Sequence, residues 1–95
     1  MVNVDIWNYG SGYKSTNPNT NAVRIGDLTL YFSYQTVVAF STTETGLRCS
    51  ENIWSVTTGK HLNMIADKKD RIPNEEFQKR LENILRHRGL EIATH

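Results

Sequence analysis

The chain has 95 residues, of which 38% are hydrophobic and 22% charged, with a formal net charge of +1. That length suits one domain rather than two, that apolar fraction argues against wholesale disorder, and so small a charge builds in no bulk attraction for nucleic acid or an anionic membrane. Cys49 is the single cysteine. It excludes an intramolecular disulfide and a zinc site with two thiolates from one chain, and it fits a reducing cytoplasm.

In chain order, Val2, Val4 and Ile6 alternate with Asn3, Asp5 and Trp7, a period-2 signal for a short strand. The segment Met1–Trp7 has no basic stretch and no long apolar run, so no secretory signal is expected. No apolar stretch approaches the ~20 residues of a membrane-spanning helix. Residues 8–21 contain no aliphatic side chain and are rich in Asn, Gly and Ser, which predicts a mobile polar loop. A β-meander follows over residues 22–52. Val23 and Ile25 flank Arg24, Gly26-Asp27 signals a hairpin turn, and Leu28, Leu30, Phe32 and Tyr34 alternate with Thr29, Tyr31 and Ser33. Gln35-Thr36 reads as a turn before the apolar run Val37–Phe40. After the polar connection Thr42–Gly46, Leu47 and Cys49 alternate with Arg48.

Thr57 or Thr58 can cap a short helix over residues 57–65 with Leu62 and Ile65 on its buried side, and Asp67–Arg71 reads as a charged, exposed link. The last helix, residues 73–88, carries the clearest pattern. Phe77, Leu81, Ile84 and Leu85 form one stripe, Glu75 and Glu76 lie at its start and Arg86, His87 and Arg88 at its end, and Gly89-Leu90 matches a Schellman stop. The expected fold is α+β: an antiparallel meander of three to five strands packed against a C-terminal amphipathic helix, with one short helix before it. The even face of Leu28–Tyr34 is the surface this stripe should cover.

Chemical motifs are sparse. Gly59-Lys60 is not a P-loop, because position 54 is Trp54 where a glycine is required and His61 stands where Ser or Thr should follow the lysine. Cys49 with His61 is a conceivable thiolate–imidazole pair, but Cys49 shares phase with Leu47 and reads as a buried, inert thiol. His61, His87 and His95 lack metal-ligand spacing, and neither a metal nor a cofactor is expected. Arg24, Tyr31 and Arg48 fall out of phase with the core side of their strands. If the helices cover one sheet face, these three share the other, where Arg and Tyr can stack bases and contact phosphates. Tyr9, Tyr13 and Lys14 in the loop, and Lys60 with His61, extend that candidate surface. An ordinary solvated sheet face is the competing reading. Tyr, Ser, Gly and Asn also suit the 8–21 loop to protein recognition, and Trp7 and Trp54 are either core or interface anchors.

The stretch Gly26–Phe40, Ser50-Glu51-Asn52-Ile53-Trp54, Thr57–Asn63 and Arg71-Ile72-Pro73 resembles a family of small proteins of unknown function encoded by phages and bacterial mobile elements, over roughly residues 22–85. The resemblance implies a cytoplasmic, phage-borne accessory protein and carries no catalytic residue. The resulting expectation is a non-enzymatic binding protein that docks on a host protein, such as a defence component it inhibits. The rival is a small nucleic-acid- or nucleotide-binding module using Arg24, Tyr31, Arg48 and Lys60. An enzyme ranks below both, because no constellation of acid, base and nucleophile emerges.

Overall fold

Alternating and apolar runs between residues 4 and 50 pair in chain order as an antiparallel meander: β1 (Val4–Asn8), β2 (Asn21–Ile25), β3 (Leu28–Ser33), β4 (Thr36–Thr42) and β5 (Gly46–Ser50). The computed structural model describes residues 4–10 and 19–90 of the chain. After β5 come helix α1 (Val56–Asn63), a 3₁₀ turn at Lys68–Asp70, a two-residue strand β6 (Arg71–Ile72) and helix α2 (Asn74–His87). The fold is α+β, as the sequence pattern predicts, with a sixth strand added parallel to β5. Lys68, Lys69 and Asp70 are exposed, as a charged link should be, but Arg71 begins β6 and is half-buried. Two paired residues are too short a run to leave a periodic signal. The stretch through α1 supplies the long crossover that a parallel pairing requires.

The two helices cover opposite faces of the sheet, which overturns the expectation of one open face. On one face Leu28, Leu30, Val37 and Phe40 pack against Phe77, Leu81 and Leu85 of α2, with Phe32 and Ile72 alongside. On the other, Val38, Ala39 and Cys49 pack against Leu62 of α1, with Tyr31, Trp54, Ile65 and Ala66 alongside. This explains why β4 is apolar without alternation. Val37, Val38, Ala39 and Phe40 are all buried, because a central strand roofed on both sides has no solvent face to make polar. A register shift at Tyr31/Phe32 moves the β3–β4 partners from Tyr31↔Ala39 to Phe32↔Val37, and Val38 is the extra residue that a bulge accommodates.

Several turns differ from their sequence-based placement. The β3–β4 turn is Tyr34-Gln35, and Tyr34 leaves the strand with φ 57°. A non-glycine residue holds that left-handed conformation only when its surroundings over-determine it. Here the Tyr34 amide donates to the Asn19 carbonyl at 2.9 Å and its ring centroid lies 5.7 Å from that of His61. Tyr34 therefore does not join the face of Leu28, Leu30 and Phe32. Thr42 and Gly46 pair with each other, which shortens the β4–β5 connection to Thr43-Glu44-Thr45. α1 is capped by the Ser55 hydroxyl, which accepts from the Thr58 amide at 3.2 Å, so the cap lies just before Thr57 and Thr58.

The expected 8–21 loop is narrower at both ends. Asn8 closes β1, Asn21 opens β2, and the ladder continues through the Tyr9 amide to the Thr20 carbonyl at 3.0 Å. The Asn8 carboxamide oxygen accepts from the Gly10 amide at 2.9 Å and from the Thr20 hydroxyl at 2.6 Å. A Cβ on Gly10 would lie 2.4 Å from Thr20 Oγ1, so this clamp requires glycine. Residues 11–18, with Tyr13 and Lys14, lie outside the described residues.

α2 ends as its sequence predicts. Gly89 has φ 66°, its amide donates to Arg86 at 3.1 Å, and the Leu90 amide donates to Leu85 at 2.8 Å, the paired bonds of a Schellman motif. Its start is capped by a neighbour. Pro73 offers no side-chain bond, and the Glu51 carboxylate accepts from the Asn74 amide at 3.2 Å. Asp27 ties the β2–β3 and β4–β5 turns to the end of α2, accepting from Arg88 at 2.6 Å and from the Thr43 hydroxyl at 2.7 Å. The Arg88 bond and then the Thr43 bonds hold its carboxyl far below the usual range.

Candidate functional site

The sequence-derived candidates do not converge on one surface. Cross-strand register places Tyr31 with Ala22 and Ala39, and Ala39 with Cys49, all on the α1 face. Arg24 is on that face too, opposite Thr29 and Asp5. Arg48 pairs with Phe40 and so belongs to the α2 face. Leu47 and Cys49 are in phase with a core, but it is the core under α1. Arg24 is engaged in an ion pair with Asp5. Tyr31 is half-buried against the α1 cluster, and Arg48 folds back along its own strand to donate to the Leu47 carbonyl at 3.0 Å.

Tyr9 is part of the framework. Its hydroxyl donates to the Phe32 carbonyl at 2.8 Å, its ring meets Tyr31 edge-on at 5.6 Å, and burial pushes its phenol well above the ordinary range. His61 is likewise interior, at 1% exposure. Its Nδ1 lies 2.7 Å from the Ser33 hydroxyl, which in turn lies 3.0 Å from the Thr58 hydroxyl. Burial lowers the His61 pKa from its ordinary value. A serine beside an imidazole is the contact a nucleophile and its base would make, but Ser33 is only 2% exposed, so no substrate atom can approach its oxygen. The contact instead joins the end of β3 to α1. Among the described residues no group of three or more His, Cys, Asp or Glu side chains is placed to hold a metal ion.

Cys49 is 1% exposed, and burial pushes its thiol up to about 11, against a smaller opposing pull from Arg71. Thiolate is the reactive form. Cys49 is therefore expected to label slowly with a thiol reagent in native buffer and at the unfolded-chain rate in denaturant, read by mass spectrometry. Equal rates in the two conditions would place the thiol at the surface.

Three surface features remain. The first lies on β1, whose apolar side chains the sequence marks only as a short terminal alternation. Val4 pairs with Ile25 and Ile6 with Val23, which pairs in turn with Leu30. The apolar face under α2 thus runs outward across β2 to β1. Ile6 is 71% and Val4 49% exposed there, and Trp7 is partly exposed on the opposite face. β1 pairs only with β2, and its outer edge has no strand partner among the described residues. The strand carries no Lys, Pro or bulge, and its one charge, Asp5, is paired with Arg24 of β2. The second feature is a groove of about 560 Å³ at the end of α1, where Arg48 and Leu47 face Met64, Asp67 and Asp70. The third is a groove of about 550 Å³ along α1, lined by Lys60, Lys68 and Arg71 together with Asn52 and Asn63. Of the sequence-derived candidates among the described residues, only Lys60 lines this last groove.

The model of a family of unknown function, DUF8033, matches residues 4–79, and the chain belongs to that family. No curated protein and no solved structure matches it.

Proposed function

We propose that this DUF8033 member is a non-enzymatic binding protein that takes an extended segment of a protein partner along the free edge of β1. The observation that carries the reading is the combination of a strand edge that has no strand partner among the described residues with Ile6 at 71% exposure. An added strand gains affinity from main-chain hydrogen bonds and specificity from alternate side chains, and Val4, Ile6, Val23 and Ile25 offer those side chains an apolar strip beside the bonding edge. The resemblance to phage- and mobile-element-encoded proteins makes a host protein, a defence component among them, the partner of choice. A nucleic-acid interface built on Arg24, Tyr31 and Arg48 has less support, because the three lie on two faces and Arg24 is neutralised by Asp5.

Selection of a random peptide library against the chain tests the reading. Peptides of alternating apolar pattern should be enriched, and Ile6→Lys should weaken their binding at least about tenfold, the scale of an interface anchor. The melting temperature should hardly move, because Ile6 buries little. Enriched peptides that bind Ile6→Lys as well as the parent would sink the β1 edge as the docking site.

A further inference from the structure

We infer that the groove along α1 is a binding site for a small, charge-dense anion, a ligand carrying two or more linked phosphate groups. The site is independent of the β1 edge. Its three cations come from three elements: Lys60 from α1, Lys68 from the 3₁₀ turn and Arg71 from β6. None of the three is in an ion pair among the described residues. Glu51 is the one carboxylate in the lining, so three positive charges face one negative. That carboxylate is already committed to the Asn74 amide at the start of α2. In a chain of net charge +1, so local an excess is a focused field.

The guanidinium is held in place. Arg71 donates through Nη2 to Asn63 Oδ1 at 2.7 Å and to the Ala66 carbonyl at 3.1 Å, and through Nε to the same carbonyl at 3.3 Å. These acceptors are neutral, so the charge is oriented, and among the described residues it meets no carboxylate and its Nη1 donors have no acceptor. Nη1 can therefore donate to a phosphate oxygen from a fixed position, while the flexible lysines act as point charges beside it. Gly59 leaves the wall bare, and a Cβ there would lie 2.9 Å from Asn52 Nδ2. The lining also defines what the site does not take. It contains no aromatic ring and only Val56 as an aliphatic side chain. A base has no stacking platform, and a peptide side chain has no apolar pocket. The volume is that of an ordinary small-molecule site.

Isothermal titration of the intact chain with tripolyphosphate at low salt, with parallel arms of ATP and a short single-stranded oligonucleotide, tests this. Tripolyphosphate should bind saturably at one site. ATP should bind with similar affinity if a nucleotide is the natural source, and more weakly if inorganic polyphosphate is. Lys60→Gln with Lys68→Gln should weaken tripolyphosphate binding at least about tenfold at low salt, because two of the three cations of the groove are lost. Lys79→Gln with Arg80→Gln, an equal charge loss on α2, should change it less than about twofold at the same ionic strength. Both double variants alter exposed side chains, and matching melting curves confirm the fold. No saturable binding, equal weakening by the two variants, or oligonucleotide binding without any response to tripolyphosphate would each overturn the assignment.

Discussion

Phe77→Ala is expected to remove about 3–5 kcal/mol of stability, the cost of emptying a large buried aromatic site. Phe77 is fully buried, and its ring centroid lies 5.6 Å from that of Phe40. It joins the first turn of α2 to the centre of β4, so the void falls where helix and sheet are fastened and neither side can collapse to fill it. A domain of this size has about 5–15 kcal/mol in total, so the variant should sit close to its unfolding transition at physiological temperature. Glu82→Ala, on the exposed side of the same helix, forfeits only the 3.5 Å ion pair with Arg86 and should cost less than about 1 kcal/mol. Urea midpoints measured on both variants give the comparison. Equal shifts would mean that α2 is held by something other than its apolar stripe.

The buried His61 contact gives the second large effect. His61→Ala leaves a void beside Ser33 and Thr58 and removes the 2.7 Å bond to Ser33, at a cost of about 1–3 kcal/mol for the weakened polar cluster. His61→Gln, which can still reach Ser33 with its amide, should cost less. The parent protein should also weaken in mild acid. Burial makes the folded-state pKa of His61 lower than its unfolded value of 6.5. Above that value both states are neutral and the stability is fully present. As pH falls below it, the unfolded chain takes up the proton first, and stability drains until the folded pKa is also passed. Urea unfolding at several pH values between 7.5 and 5, with His61→Gln beside the parent, isolates the effect by difference. Parallel stability–pH curves for the two proteins would show that His61 titrates alike in the folded and unfolded chain.

Much of this architecture is written locally. The bounds of α2 follow from a stripe at helical spacing, acids at one end, bases at the other and a glycine that can take the left-handed stop. β3 follows from strict alternation, and β4 from the unbroken apolar run Val37–Phe40. These signals act within a turn or two of chain, so no distant contact is needed to read them. The candidate sites fared differently. Alternation fixes which residues of one strand share a face, but it carries no phase between strands. Leu47 and Cys49 are apolar and in phase whichever core they serve, and only pairing of Phe40 with Arg48 assigns Arg48 to the α2 side. His61 beside Lys60 reads as part of a polar surface until α1 is docked, when one turns to Ser33 and the other lines a groove.

The apolar strip on β1 and the cation groove were equally out of reach of the sequence. The strip exists because α2 roofs the inner strands and leaves Val4 and Ile6 beyond its cover, a matter of helix placement rather than composition. The groove exists because β6 pairs parallel to β5 and brings Arg71 alongside Lys60, eleven positions earlier in the chain. Local pattern determined the elements and the buried side of most of them, because propensity and periodicity are properties of a few consecutive residues. Which faces the helices cover, which charges are left unpaired and which edge is left open were decided by packing, because each depends on residues far apart in sequence meeting across the sheet.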